Sequence, residues 1–337
     1  MTSAPFQAFG EAVRARREEL GMTQLHLSER LYMTRQNLAE IESGRRLPRL
    51  DTARRLATLL GWTLDALTAH LARESHPHWV MDAEPTEASP VIWTLIGEKL
   101  CVAKAGRVAP PLMVDGLWDP VTALVRDVPG ACDPASTLFL AGCDPFVSWL
   151  WQRTPHPDIT LYVFSMGSLA ALQALAEGAV HLAGSHLFDQ KSRRYNRFDN
   201  RFSFKTRRFP YLMWDSGALG AIQSPDQWVV KEPGSEARAL FERQRGMSDS
   251  GPLVELDSHW AIARYVARHP HTAGVGIGAV ALAMNLPFLP WTREPFEWIT
   301  REEWTRDPRI RAFEQWLQSY SLTDLMQKVP GIIPLMS

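Results

Sequence analysis

The chain has 337 residues, a length for two or three domains, with 45% of them hydrophobic and 22% charged, ordinary values for a globular protein, which exclude a mostly disordered chain. Lys and Arg number 36 against 37 Asp and Glu, so a uniformly basic nucleic-acid coat is excluded while a local basic face is not. Three cysteines, Cys101, Cys132 and Cys143, show no paired spacing, which argues against a secreted disulfide scaffold and for a reducing cytoplasm.

The N-terminus carries no basic-then-apolar leader pattern. The longest apolar run, Ala273 to Leu289, is broken by Gly274, Gly276, Gly278, Asn285 and Pro287. It reads as a buried strand and helix, short of the roughly 20 apolar residues of a membrane span.

Residues 1–72 differ from the rest: their ten basic residues are all Arg, against eight acids. Helical periodicity predicts five short helices. Phe9, Val13 and Leu20 share one face of the first, Leu27 and Leu31 mark the second, and Leu38 and Ile41 the third. Leu56, Leu59 and Leu60 mark the fourth, and Leu64 and Leu67 the fifth. Thr23, Thr34, Asp51 and Thr63 stand where side-chain oxygens can cap free helix N–H groups.

Helices over 23–31 and 34–43, joined by a turn too short for anything but a sharp crossing, have helix-turn-helix geometry. With Leu38 and Ile41 inward, Arg35, Gln36 and Glu40 face outward together, and such side chains can hydrogen-bond base edges. Asn37 lies on the same helix, and Gly44 ends it. Arg45, Arg46 and Arg49 follow where phosphates flank a groove. A DNA-free helical bundle for protein contacts is the competing reading.

These residues, with Arg17, Thr23-Gln24, Ile41-Glu42, Pro48 and Leu64-Asp65-Leu67, resemble the phage-repressor (Cro/xenobiotic-response-element) helix-turn-helix family over residues 6–72. The resemblance implies that Arg35, Gln36 and Glu40 read bases and that Gln24 meets a phosphate. It also implies a partly buried ion pair between Arg17 and Glu42, and a homodimer spanning two half-sites about 34 Å apart. Tyr32 stands where the family's turn has Gly, and Ser28 where its second helix has Ala. Tyr at positive φ is strained, so a re-formed turn is expected.

Residues 73–90 are rich in Pro, His and acids without periodicity and read as a linker. Beyond them, strand-like runs (137–141, 159–164, 181–183) alternate with helical runs (145–152, 168–177), which predicts an α/β domain over 91–337 with mostly parallel strands. Small or polar residues close each strand: Cys143-Asp144, Ser165 to Ser168 and His186 to Asp189. Pro145 suits a first helical position and Asp144 its cap. In an open α/β sheet this edge is where ligands sit, and helix N-termini there favour an anion.

The motifs Ala-Gly-Cys-Asp-Pro (141–145), Gly-Ser-Leu-Ala-Ala-Leu (167–172) and Leu-Ala-Gly-Ser-His-Leu-Phe-Asp (182–189), with Tyr195-Asn196, Ser235 and Ser258-His259, are similar to cytoplasmic periplasmic-binding-protein-like domains related to molybdate and tungstate binders. The resemblance implies two α/β lobes, the second over roughly 205–270, joined by two crossovers around a ligand cleft. The candidate ligand residues are Cys143, Asp144, Ser165, Gly167, Ser168, His186, Asp189, Ser235 and His259. Glu236 replaces a family Gly, and an unpaired Glu near the cleft would repel an oxyanion.

The fold class is therefore multidomain: an all-α helix-turn-helix domain (1–72), a linker (73–90) and a two-lobed α/β sensor (91–337). The function expected is a cytoplasmic, non-enzymatic, ligand-responsive transcription regulator. Its partners would be double-stranded DNA, a small anionic effector and a second copy, with no membrane, metal or other cofactor. An enzyme using Asp144, His186 and Asp189, or a ligand-free dimerisation scaffold, are the alternatives. Cys143 at a helix start could be a nucleophile or redox sensor, but no base is near it in sequence. The thirteen Trp residues read mostly as core. The basic stretch from Lys191 to Arg208 reads as a solvated segment.

Overall fold

The computed structural model describes residues 7–64, 67, 77–109, 114–121, 123–197, 202–245 and 253–335. They form two compact units, Met1–His78 with Asp119–Val125, and Trp79–Trp118 with Arg126–Ser337.

The first unit holds α1 (Gln7–Glu19), α2 (Gln24–Arg30), α3 (Arg35–Glu42) and α4 (Leu50–Leu60). Phe9, Val13, Leu27, Leu31, Leu38, Ile41, Leu56, Leu60 and Leu67 make its core. α1 and α3 cross closely at Gly10, where a Cβ would stand 2.6 Å from the Ile41 and Glu42 carbonyl oxygens. Thr23 caps α2 by accepting from the His26 N–H, and Thr34 caps α3 by accepting from the Asn37 N–H.

Three expectations need correction. Leu20 lies past the end of α1 and is exposed, because the helix stops at Glu19. α4 begins at Leu50 with Arg49 in the capping position, so Asp51 sits inside the first turn, where its charge favours the helix dipole without capping. The turn between α2 and α3 is not re-formed: Tyr32 adopts φ 56°. Its ring, 85% exposed, lies under the Arg55 guanidinium at 5.5 Å. The predicted fifth helix lies mostly outside the described residues.

In the second unit a small antiparallel sheet is built from β1 (Ser89–Ile96), β2 (Lys99–Lys104) and, after β3 (Val108–Ala109), β4 (Gly116–Asp119). The stretch read as a linker already belongs to this packing from Trp79 on. Val80 is buried and its N–H donates to the Val102 carbonyl, while Trp118 donates its indole N–H to the Pro85 carbonyl.

The larger part follows as β5 (Thr137–Gly142), α5 (Val147–Arg153), β6 (Thr160–Ser165), α6 (Ser168–Glu177), β7 (Leu182–Ser185), β8 (Phe188–Asp189), β9 (Arg194–Tyr195) and β10 (Thr206–Gly220). It continues with β11 (Gln227–Val230), α7 (Glu236–Arg245), β12 (Leu253–Glu255), α8 (His259–Arg268), β13 (Thr272–Ile277), α9 (Gly278–Ala283), β14 (Phe288–Arg301), α10 (Pro308–Leu317), α11 (Tyr320–Gln327) and β15 (Ile332–Pro334).

Ten of these strands, β3 among them, form one curled sheet in the order β12-β11-β13-β10-β14-β7-β5-β6-β3, with β15 beside β10. Each lobe has a parallel core: β6-β5-β7 in the first and β12-β11-β13 in the second. The lobes are joined by β10 and β14, antiparallel to each other and to β13 and β7. The sheet is thus mixed, where mostly parallel strands were expected. The two long strands escape a pattern reading because Pro210, Pro290 and Pro295 interrupt them, and the ladder shifts register at Pro210/Leu212 and Ser216/Gly217. The apolar run from Ala273 resolves into β13, α9 and the start of β14.

Candidate functional site

In the first unit the outer side of α3 presents Arg35 and Gln36 to solvent, with Asn37 and Glu40 half-buried. Gly44 at φ 69° turns the chain, and Arg45, Arg46 and Arg49 stand exposed behind it. Gln24, Gln36, Glu40 and Arg45 line one shallow groove. The groove is braced from the core. Arg17 donates from Nε to Glu42 Oε1 at 2.6 Å and from Nη2 to Oε2 at 3.1 Å. Gln24 Nε2 donates to Glu42 Oε2 at 2.9 Å, and Arg35 Nε reaches Gln24 Oε1 at 3.5 Å. A buried ion pair therefore ties α1 to α3, and its hydrogen bonds set the Gln24 and Arg35 head groups. Glu40 and Asn37 both meet Arg46, at 3.7 Å and 3.4 Å, so these two present themselves as part of a cluster with that arginine.

In the second unit the carboxyl ends of the parallel strands from both lobes converge. Cys143 follows β5, His186 follows β7 and Lys231 follows β11, while His259 opens α8 behind the Ser258 cap. The crossover strands run beneath, where Trp214 is paired with Glu294. Cys143 Sγ lies 3.2 Å from His186 Nε2, and His186 Nδ1 lies 2.8 Å from Glu294 Oε2. That oxygen also accepts from Ser216 Oγ at 2.7 Å. All four side chains are buried. The Glu294 contact fixes the imidazole tautomer, so Nε2 is free to accept the thiol proton.

Burial alone would raise the Cys143 thiol, but the charge of His186 and its hydrogen bond prevail and bring the thiol below the ordinary range. Burial opposes protonation of His186 too, yet Cys143 and Glu294 raise it well above the usual value. Each of the two thus favours the charged form of the other. By contrast burial pushes Cys101 up to about 11 and raises Cys132.

Beside this pair lie polar groups without hydrogen-bond partners. Lys231 is 1% exposed and its Nζ makes no hydrogen bond, with Glu232 Oε1 at 3.6 Å as its carboxylate neighbour. His259 is 2% exposed and neither ring nitrogen has a partner. Burial, then Lys231 and His186, keep His259 neutral. The Trp214 ring packs against both histidines, its centroid 5.4 Å from that of His186 and 6.4 Å from that of His259.

The lobes meet at this place. A Cβ on Gly167 would touch Glu232 Oε1 at 2.8 Å and Ser235 Cβ at 3.4 Å. Phe188 N–H donates to Glu236 Oε2 at 2.9 Å.

Two family models match the chain: a helix-turn-helix over residues 13–67 and a PBP superfamily domain over 152–207 and 218–318. An uncharacterized HTH-type transcriptional regulator of Methanothermobacter thermautotrophicus is 47% identical over 49 residues, 14% of this chain and 71% of that protein. The chain belongs to the helix-turn-helix regulators. Among solved structures it is similar to an ABC-type phosphate transport receptor from Vibrio cholerae (15% identity, 59% of this chain and all of that one, TM-score 0.42). It is also similar to the regulatory domain of MetR, a LysR family regulator from N. meningitidis (14% identity, 60% of this chain and all of that one, TM-score 0.42).

The regulator brings together Cys143, Ser168, His186 and His259 of the sequence-predicted ligand residues. Ser168 is fully buried and its Oγ lies 3.4 Å from the His186 N–H. Asp144 adjoins them, its Oδ1 accepting from the Phe146 N–H at 2.8 Å. Burial pushes its carboxyl up to about 7. It does not cap a helix, because α5 begins two residues beyond Pro145, at Val147. Ser235 is spent as the cap of α7, accepting from Arg238 N–H and donating to the Glu232 carbonyl. Ser165 faces solvent. Asp189 sits in the β8–β9 hairpin, accepting from the Ser192 N–H. Glu236 is no free repulsive charge, since Arg243 and the Phe188 N–H hold its two oxygens.

Glu294, Lys231 and Ser216 escaped sequence reading. Glu294 follows Arg293 in a strand with no motif around it, and only chain crossing places it 108 residues from His186. Among the described residues no group of His, Cys, Asp and Glu is arranged to hold a metal, and no helix is long and apolar enough to cross a membrane.

Proposed function

We propose that the regulator binds operator DNA as a homodimer through α3 and senses a small anion enclosed between the lobes of its PBP-like domain. Residues 1–72 serve as the DNA-binding domain, and the chain from Trp79 on serves as the sensor. Arg35 and Gln36 contact base edges, with Asn37 and Glu40 beside them. Gln24, Arg45, Arg46 and Arg49 contact phosphates. The observation that carries the ligand reading is the pair of buried, unpartnered groups, Lys231 Nζ and the His259 ring. A buried polar group without a partner costs about 1–3 kcal/mol, more when charged. An oxyanion placed there would satisfy both and neutralise Lys231. Molybdate or tungstate fits this chemistry, and so do other tetrahedral oxyanions.

A ligand shifts the regulator only by its differential affinity for open and closed lobes. Closing on an anion would reorient the DNA readers of a dimer, whose half-sites are about 34 Å apart.

A thermal-shift and calorimetric series with molybdate, tungstate, phosphate and sulfate tests the ligand. At least one should raise the melting temperature by several degrees, and Lys231→Met should abolish that rise while stabilising the ligand-free protein. No shift with any oxyanion would sink the anion reading. Arg35→Ala should weaken specific operator binding by about 1–3 kcal/mol and relax preference at one base position. Unchanged binding in a mobility-shift assay would remove Arg35 from the readers. Light scattering at assay concentration reads the dimer.

A further inference from the structure

We propose that Cys143, His186 and Glu294 form a nucleophilic relay in which the Cys143 thiolate is oxidised by a hydroperoxide to a sulfenic acid, making the inter-lobe site a peroxide-reactive centre. The inference stands on the same site as the anion reading but needs no bound anion.

Three side chains from three separated segments are aligned as an activated nucleophile requires. The thiol lies 3.2 Å from a ring nitrogen, and the other ring nitrogen is 2.8 Å from a carboxylate oxygen that a serine hydroxyl also holds. A histidine kept only for packing needs no carboxylate 0% exposed behind it. The second observation is the unpartnered donors. Lys231 Nζ and both ring nitrogens of His259 are buried near the relay and make no hydrogen bond, Glu232 Oε1 at 3.6 Å being the carboxylate beside Nζ.

The size of the reactant follows from burial. Cys143 is 6% exposed, so a bulky or strongly hydrated electrophile reaches it poorly, whereas hydrogen peroxide is small and neutral. The thiolate attacks one peroxide oxygen, forming an S–O bond as the O–O bond breaks. Two electrons pass from sulfur to the peroxide. The departing hydroxide takes the proton of the His186 imidazolium and leaves as water, with Lys231 placed to stabilise the developing charge. The products are Cys143 sulfenic acid, neutral His186 and water. Among the described residues all three cysteines are free thiols. Cys101 and Cys132 have thiols raised by burial, and so serve as internal controls.

The groups facing the thiol are His186 from the loop after β7, Lys231 from the end of β11 and Asp144 on its own loop. Glu294 on β14 lies behind His186, and His259 on α8 packs against Trp214.

The full-length regulator is exposed to hydrogen peroxide between pH 6 and 8 for timed intervals, quenched with catalase and unfolded directly into dimedone, and adducts are quantified by peptide mass spectrometry. Cys143 should be labelled at least tenfold faster than Cys132 or Cys101. Its rate should rise less steeply with pH than those of Cys101 and Cys132, because His186 lowers this thiol while burial raises the other two. His186→Ala should slow it at least tenfold, and Glu294→Gln should slow it less. The wild-type pH profile needs no variant, so it decides even if His186→Ala fails to fold. Labelling of Cys143 no faster than Cys132, or a rate rising tenfold per pH unit, overturns the proposal. Oxidation without an oxyanion-induced thermal shift would dismiss the anion reading alone, and a shift without oxidation would dismiss this one alone.

Discussion

His181 shows how one buried side chain couples the fold to pH. Its Nδ1 accepts from the Phe139 N–H, and its Nε2 lies 2.9 Å from the Leu95 carbonyl, so it is held as a neutral tautomer that donates from Nε2. Burial first, then the charge of Arg309, push its pKa down to about 3. The unfolded chain binds a proton below about pH 6.5 that the native state refuses. This contribution is therefore complete above pH 6.5 and is lost as pH falls toward 3, at about 1.4 kcal/mol per unit. Urea titrations at pH 7.5, 6.5 and 5 should show roughly 2 kcal/mol of such loss by pH 5. His181→Gln should have a slope shallower by one proton, and an unchanged slope would mean His181 already titrates in the folded state. Asp144 acts in the opposite sense. With a folded pKa raised to about 7, its contribution weakens as pH rises from about 3.9 to 7. The single-residue departures at Ser28 and Tyr32 are absorbed locally: the Ser28 hydroxyl donates to the Leu25 carbonyl, and Tyr32 keeps the left-handed turn under Arg55.

Among the elements, α3 depends most on a partner outside itself. It has eight residues, too few to be stable alone in water. Its last residue, Glu42, is held by Arg17 of α1, with side chains only 3% and 7% exposed. Removing one member strands the other as a buried charge. Glu42→Ala should cost about 3–5 kcal/mol, whereas replacing both partners by apolar residues of similar volume should cost little. Thermal melts of Glu42→Ala, Arg17→Met and the double variant check this as a cycle. Additive losses would show that the pair is not the unit. Operator binding should fail with stability in Glu42→Ala, since Gln24 is oriented through the same carboxylate.

At the scale of the molecule, the two lobes are one sheet, and β10 and β14 carry the connection. Their pairing is close at Gly217, where a Cβ would stand 2.1 Å from the Leu289 carbonyl oxygen and 2.9 Å from Pro290 Cα. Both obstacles are backbone, so neither rotates away. Gly217→Val should abolish cooperative folding of the PBP-like unit, visible as loss of near-ultraviolet circular dichroism from its tryptophans. A native spectrum would show that the crossover can separate there. The same two strands supply Ser216 and Glu294 to the inter-lobe site, so a shift of one lobe on the other acts directly on the Cys143–His186 pair.

The regulator's sequence alone determined what depends on neighbours along the chain. Helix periodicity, threonine caps and the residues after Gly44 made the helix-turn-helix legible, because α-helices and their caps are built from bonds only three or four residues apart. The strand-end positions of Cys143, Ser168 and His186 were legible for the same reason. Only the tertiary structure decided which groups those residues meet. Glu294, Lys231 and Ser216 carry no local signature. The histidine that meets Cys143 stands 43 residues away, and the carboxylate behind it a further 108. Contacts of that length are set by how β10 and β14 cross beneath the strand ends. Their register is fixed by packing of both faces of the curled sheet, which no short window of sequence contains.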